Sequence, residues 1–493
     1  MTFIDGTVVN VALPALQKSF GATVTELQWV VEAYTLFLGA LLLVGGSLGD
    51  QLGRKRVFLA GVVVFTLASV VCGLAPSSVI LISARAVQGI GAAFLVPGSL
   101  SIIAATFDGA ARGRAIGTWS GFSAITTAIG PVAGGWLVEH ASWRAAFFMN
   151  VPLAAIVLVL SVHHMAETRD ATRAGALDWM GTALTVFGLS GIVFGLLQWP
   201  TLGGLHPMVA GALVFGLLLL AALIVVERRV ANPMLELDLF RSRTFALANL
   251  LTLFLYGALG MMIFVVPLEL IEVRGYSATV AGAVMLPIPI IMFALSRWSG
   301  GLVARIGHRL PLAVGPAVAA LGMGLLALAG GAQGHSLWTT FIPAIVVLAV
   351  GMAITVAPLT TTVMNAVESA HSGVASGINN AVSRVAGLVA IAVFGVVLSQ
   401  SFESRVRPRL DRLGLPPAAH AAIGSELRKM AGARLDSISS LPNERRAAVR
   451  AAIDTSFDAA FRVVMAWVAA LAAAGALVGA AMAEQSGVRT QSR

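Results

Sequence analysis

Charged residues are scarce in this sequence. Asp, Glu, Lys and Arg make up 11% of its 493 residues, where an ordinary soluble domain carries about 25%. A water-facing surface cannot be built from so little charge, which excludes a soluble enzyme and a disordered chain. Cysteine occurs once, as Cys72 inside an apolar run. No disulfide can form within the chain and no thiolate cluster can hold a metal. The eight histidines show no metal-ligand spacing, and His163-His164 lies at the end of an apolar run, where it reads as interfacial. No GxxxxGK[ST] loop is present to cradle a nucleotide's phosphates, and no Ser/His/Asp set can be assembled. A secretory leader is not visible either, for want of a basic n-region and a cleavage site. Lysine occurs only at Lys18, Lys55 and Lys429. With so much Ala, Gly and Val, that points to a GC-rich bacterial genome.

What remains is apolar: 58% hydrophobic residues and a mean hydropathy of +0.89. Fourteen stretches read as membrane helices, at 1–16, 27–49, 57–75, 78–106, 115–138, 145–163, 178–198, 206–226, 244–267, 278–303, 310–330, 337–364, 372–401 and 457–484. Most hold the ~20 residues that cross a bilayer's hydrocarbon core. The first is short, because Met1-Thr2-Phe3-Ile4-Asp5 has no apolar lead-in and Pro14 follows. The first helix is expected to be truncated, or the true start to lie upstream.

Basic residues orient the spans. Thirteen (Arg54, Lys55, Arg56, Arg112, Arg114, Arg169, Arg173, Arg228, Arg229, Arg241, Arg243, Arg305, Arg309) fall in one set of alternate loops. Three (Lys18, Arg144, Arg274) fall in the opposite short loops. The positive-inside rule makes the first set cytoplasmic, and fourteen spans then place both termini inside. Segment 402–456 falls outside by parity although it holds ten Arg and Lys against six acidic residues; long loops weigh little in the rule. It reads as a long extracytoplasmic loop, solvated or, around 419–434 and 442–453, amphipathic and helical.

The chain also repeats itself. Gly46-Ser47-Leu48-Gly49-Asp50-Gln51-Leu52-Gly53-Arg54-Lys55 returns 254 residues later as Gly300 to Arg309, and Arg112 to Gly117 returns more faintly 260 residues later as Ser372 to Gly377. Each pair is displaced by eight spans, so two six-span halves flank two extra spans. The expected organisation is 1–163, an N-terminal six-span half; 164–243, two extra spans with linkers; and 244–486, a C-terminal six-span half. Repeats of this kind build carriers whose site lies at the repeat interface near the membrane midplane.

Four stretches resemble the major facilitator superfamily, in particular its fourteen-span drug:proton antiporter branch. Ile4 to Pro14 is similar to that branch's first-helix signature, and Gly46 to Arg56 to the loop motif between spans 2 and 3. Leu81 to Arg85 followed by Gln88-Gly89-Ile90-Gly91-Ala92-Ala93 resembles the fourth-span motif, and Gly130-Pro131-Val132-Ala133-Gly134-Gly135 the antiporter motif of span 5. One position departs, with Thr126 where the resemblance asks for Gly. The implied fold is an all-α polytopic bundle of the major facilitator type. The implied activity is proton-driven export of small amphipathic molecules such as drugs, antibiotics or secondary metabolites.

The resemblance gives several residues roles. Gly46, Asp50, Gly53, Arg54 and Lys55, with Arg112 as ion-pair partner, form a latch between the halves; the alternative is a basic topology anchor beside a solvated Asp50. Ala304 stands where the second copy would need an acid, so the latch is one-sided. Gly117, Gly121, Gly130, Pro131, Gly134 and Gly135 form a tightly packed, bendable face that seals against proton leak; the alternative is generic helix packing. Ionisable groups inside spans cost about 2.5–3.5 kcal/mol each on insertion scales, so Asp5, Glu32 and Arg85 are the candidates for proton coupling. Glu32, Gly39 and Gly46 recur every seven residues on one packed face, and a carboxyl desolvated there would hold its proton more tightly.

A polar stripe of Ser376, Asn380 and Arg384 with neighbouring Asn379, together with Gln88, Asn249 and Tyr256, is the candidate substrate cavity. A cationic substrate would call on Glu32 and an anionic one on Arg384; the sequence holds both. No cofactor is expected, the drive being the proton gradient. The expected partners are a small amphipathic substrate, protons and the lipid bilayer, with no nucleic acid and a monomer as the working unit. The expected location is the bacterial cytoplasmic membrane. A symporter or uniporter importing a nutrient is the alternative, disfavoured by the span-5 motif; a passive pore and a membrane-bound enzyme fit less well.

Overall fold

A computed structural model of the chain describes residues 1–107, 109–169, 178–230, 233, 235–329, 337–367, 372–436, 438, 441 and 443–482. The N-terminal half contains α1 (Thr2–Phe20), α2 (Val24–Leu52), α3 (Arg54–Leu74), α4 (Ser78–Thr106), α5 (Gly109–His140) and α6 (Ala145–His164). Two further helices follow, α7 (Trp179–Leu202) and α8 (Pro207–Glu227). The C-terminal half contains α9 (Arg243–Leu268), α10 in two pieces (Ala278–Val284 and Pro287–Gly300), α11 (Arg309–Leu328), α12 (Leu337–Asn365), α13 (Ser372–Asp411) and α14 (Asn443–Ala480). Eleven helices among the described residues are long and apolar enough to cross a membrane; α1, α2 and α5 are helical but stand outside that set.

Local chemistry sets the boundaries. Gly21, at φ 64°, ends α1 in the left-handed conformation that glycine adopts without strain. Thr23 and Glu26 then form a reciprocal capping box that starts α2. Asp178, Ser242 and Ser277 cap α7, α9 and α10 with side-chain oxygens. Pro14 lies inside the first helix, which runs past the expected end at residue 16. The helix continues to Phe20, with Leu16 and Gln17 buried beyond the proline.

The two halves meet along two lines, α5 against α10 and α2 against α13. Helix α7 lies against both α2 and α13, so it bridges the seam. Helix α8 packs mainly on α7, and its Phe215, Leu217 and Leu218 are exposed. A helix apolar all round with so little of it covered is a lipid-facing span.

Segment 402–456 is not a solvated loop. Helix α13 runs on to Asp411, a helix spans Pro417–Glu426, and α14 begins at Asn443. Phe402, Val406 and Leu410 recur one turn apart and are buried, as are Val449, Ile453 and Phe457, in one apolar cluster with Ile423 and Met430. The charge on the outer faces of these helices masks a regular buried stripe.

Candidate functional site

The N-terminal half buries a polar cluster in its core. Asp5 and Arg85, both almost wholly inaccessible, pair through Arg85 Nη1 and Asp5 Oδ2 at 2.6 Å. Asp5 Oδ1 accepts from Gln88 Nε2 at 2.9 Å and from Asn150 Nδ2 at 3.0 Å. Three N–H groups thus converge on an acceptor-only carboxylate. Arg85 also donates to Gln88 Oε1 at 2.7 Å and to the Val30 carbonyl at 3.1 Å. Its guanidinium lies 4.2 Å from the centre of the Tyr34 ring. Ser69 closes the cluster, accepting from Asn150 at 3.0 Å and donating to the Phe147 carbonyl at 2.9 Å. The ion pair is therefore hydrogen-bonded on both sides, which a charge pair away from water requires.

Beside the cluster lies a cavity of about 220 Å³. Its walls come from α1 (Phe3, Gly6, Thr7, Asn10), α2 (Val31, Tyr34, Thr35), Arg85 on α4 and Thr127 on α5, and from the other half by Arg384 on α13. Arg384 packs beside Gly39, about halfway along the 29 residues of α2: a Cβ there would make ordinary contact with Arg384 Cβ at 3.5 Å.

Glu32 is treated differently from Asp5. It is fully buried, and among the described residues neither of its carboxyl oxygens has a hydrogen-bond partner. It lies on α2 one turn from Gln28, whose amide reaches the Ile391 carbonyl of α13 at 3.3 Å, and one turn from Leu36, which packs with Leu388, Ala392, Leu189 and Val193. Glu32 therefore sits on the seam face of α2, outside the cavity wall.

Hydrogen bonds between the halves gather at the end of the bundle that carries the 402–456 extension. Gln17 Nε2 donates to the Lys429 carbonyl at 3.0 Å. Glu139 at the end of α5 accepts from the Thr279 hydroxyl and, at 3.4 Å, from its backbone N–H at the start of α10. Between these contacts the backbones touch: a Cβ on Gly135 would meet the Ala278 carbonyl at 2.5 Å, and one on Gly282 the Pro131 carbonyl at 2.2 Å. Only glycine permits such approach.

Two halves of matched helices around a central cavity are an architecture shared with solved transporters. The major facilitator superfamily model matches residues 1–391. The chain belongs to the major facilitator superfamily. It is 35% identical over 413 residues to multidrug resistance protein Stp of Mycobacterium tuberculosis (strain CDC 1551 / Oshkosh), covering 84% of this chain and 76% of that protein. It is 31% identical over 403 residues to the tetracenomycin C resistance and export protein of Streptomyces glaucescens, covering 81% and 74%. A bacterial homologue of the human lysosomal transporter Spinster, solved inward-facing and unoccupied, superposes with TM-score 0.63 at 17% identity over 97% of this chain and 94% of that one. This major facilitator protein is thus a multi-pass membrane transporter rather than an enzyme.

Within that superfamily frame the sequence motifs can be placed. In the span-5 motif, Gly130 and Gly134 press against Thr7 and Val8 of α1, while Pro131 and Gly135 press against α10. The motif thus packs its own half and the seam together. Its C-half counterpart, Gly282, was missed because it belongs to no recognised pattern. Gly117 and Gly121 lie on α5, but their packing, like the side chains of Asp50 and Arg112, is outside what is described.

The contacts seen around Lys55 are within one half. Lys55 Nζ caps the end of α6 at the Val162 and Met165 carbonyls, at 3.0 and 2.6 Å, and Glu167 receives the backbone N–H groups of Lys55 and Arg56. The Arg54 N–H donates to the Thr168 carbonyl at 2.9 Å. Gly53 is a turn residue at φ 112° with Glu167 over it. Gly46 makes only ordinary contact with Pro97, and α2 and α4 cross closely at Gly45, against the Ala93 carbonyl, and at Gly89, against the Tyr34 carbonyl.

Several cavity candidates are placed elsewhere. Gln88 is saturated inside the polar cluster and does not line the cavity, because Asp5, Arg85 and Ser69 use its amide. Asn379 bonds to Asn249 at 3.1 Å and Thr252 at 2.7 Å, which ties α13 to α9 within the C-terminal half. Asn380 donates to the Ser376 carbonyl at 3.0 Å, and Tyr256 packs into the apolar core. Of that set, Arg384 alone is on the cavity wall. Asn150, Ser69 and Glu167 were not singled out; the signal for Asn150 was a lone amide at the head of an apolar run.

Proposed function

We propose that the chain is a proton-coupled antiporter of the cytoplasmic membrane that exports small amphipathic molecules by alternating access. Relatives named for multidrug resistance and for antibiotic resistance and export support the class of cargo. In this reading the chain crosses the bilayer fourteen times, works as a monomer without a cofactor, and keeps both termini in the cytoplasm. The sealed end is then extracytoplasmic, and the conformation is inward-facing.

Glu32 carries the proposal. Its carboxyl is enclosed in the seam with no donor to either oxygen. Closing a dry interface over an ionised, unpaired carboxylate costs several kcal/mol, so the seam closes when Glu32 is protonated. Opening the seam wets Glu32 and lets the proton exchange. Protonation and the swing of the halves are thereby linked. The Asp5–Arg85 pair, with Arg85 on the cavity wall, relays occupancy to the same half. One proton moving down about 100 mV releases about 2.3 kcal/mol, enough for roughly 40-fold accumulation of a neutral solute.

Inverted vesicles with an imposed pH gradient test this. Candidate substrates dissipate the gradient with the native chain and not with Glu32→Gln. If no compound of a broad panel moves protons, antiport is wrong. If Glu32→Gln behaves like the native chain, the proton site is Asp5.

A further inference from the structure

Two guanidinium groups face the central cavity, and only one has a counter-charge. Arg85 is neutralised by Asp5 at 2.6 Å. Arg384 reaches the same cavity from the opposite half, and among the described residues no hydrogen bond or carboxylate engages it. Tyr34, itself buried and stacked on Arg85, lines the same cavity. The two buried acids of the N-terminal half do not serve. Asp5 is already met by Arg85, Gln88 and Asn150. Glu32 is off the cavity wall, seven residues from Gly39 and so about 10 Å away along α2.

An uncompensated cation about halfway through a membrane bundle is expensive. Unlike a lysine, it presents a planar fork that matches an oxyanion with two parallel hydrogen bonds. The rest of the wall carries no charge, with Phe3, Val9 and Val31 beside Thr7 and Asn10. That lining suits an apolar body attached to the anionic group. Thr2 and Phe3 also border a more apolar groove, open to the surface, with Trp119 and Phe122.

We propose that the transported molecules are amphipathic organic anions, and that Arg384 binds their carboxylate or equivalent oxyanion in the cavity between the halves. The proposal deepens the transport reading above and rests on it for the direction of movement. It also turns the cation-or-anion alternative left open by the sequence towards the anion. Arg384 lies on the wall, whereas Glu32 is enclosed in the seam.

The test uses three probes with one apolar body and different charge: 1-naphthylacetate, its neutral amide, and 1-naphthylmethylamine. Binding to the purified full chain in detergent is read by calorimetry, and proton-driven uptake is read in inverted vesicles. The acid should bind at least about tenfold tighter than the amide, the margin of one charge-assisted contact, and the amine weakest. Arg384→Gln should remove the preference for the acid over the amide, while Arg384→Lys, which keeps the charge without the fork, should restore part of it. Equal binding of all three, no binding by any, a preference for the amine, or a preference for the acid that survives Arg384→Gln each overturns the proposal. Acid-selective binding without proton-driven uptake keeps the anion site and rejects the transport reading, so the two failures are separable.

Discussion

Asp5 and Glu32 are acids on adjacent helices, equally hidden from solvent, and their surroundings treat them in opposite ways. Asp5 has three N–H donors, one of them from a guanidinium, and Glu32 has none among the described residues. Asp5→Asn leaves Arg85 charged, buried and unpaired, which should cost about 3–5 kcal/mol of stability. Asn150→Ala removes one donor of several and should cost about 1.5–3 kcal/mol. Thermal unfolding in detergent micelles should therefore rank Asp5→Asn well below Asn150→Ala. Unfolding of Asp5→Asn at the native temperature would show that the pair does not hold the half together. The ionisable members of this cluster were legible as charges inside apolar runs. Their pairing was not, because helix periodicity fixes which face a residue occupies and not which neighbouring helix that face meets. Ser69 and Asn150 were illegible for a simpler reason: a single neutral polar residue in a span is too common to stand out.

Among the elements, α5 is the one on which both halves lean. Its glycines meet α1 on one side and α10 on the other, with the carbonyl of Pro131 directly over Gly282. A larger side chain at Gly282 should force the seam apart. Overpacking costs about 1–3 kcal/mol, so Gly282→Leu should raise the population open at that end by about tenfold. A cysteine at Gln28, buried beside α13, reports it through its rate of modification by a membrane-impermeant maleimide. The only native thiol, Cys72, is buried and contributes little background. An unchanged rate would place the moving surface elsewhere. The Gly-Pro pattern of α5 was readable because small residues at regular spacing announce close packing. Which partner each glycine admits was not. In the extension after α13 the helical pattern around 419–434 and 442–453 was legible as an alternative to a solvated loop, but its buried apolar stripe was not, since charge spaced along amphipathic helices looks, in sequence, like a solvated surface.

For the molecule as a whole, the sequence repeat has a structural meaning. Gly53 and Gly307 both take positive φ, 112° and 76°, and two residues later Lys55 and Arg309 each reach back to the end of the last helix of their own half. The turn and its capping cation are repeated although the acid is not, so the repeat preserves how each half closes on itself. The halves in turn close on each other through Glu139 and Thr279. A cysteine pair at these positions, bridged by a short bifunctional methanethiosulfonate, should arrest transport in vesicles, and reductant should restore it. Transport that continues while bridged would mean that this end need not open. The extension adds a mechanical consequence. Helix α13 is 40 residues long, and Arg384 lies in its first third. From Arg384 to Asp411 the helix projects about 40 Å. A rigid swing of about 15°, the scale of known subunit rotations, would carry its tip roughly 10 Å. The helix is therefore a lever arm: a displacement at the cavity too small to resolve by itself becomes, at Asp411, a change that a pair of spin labels can measure.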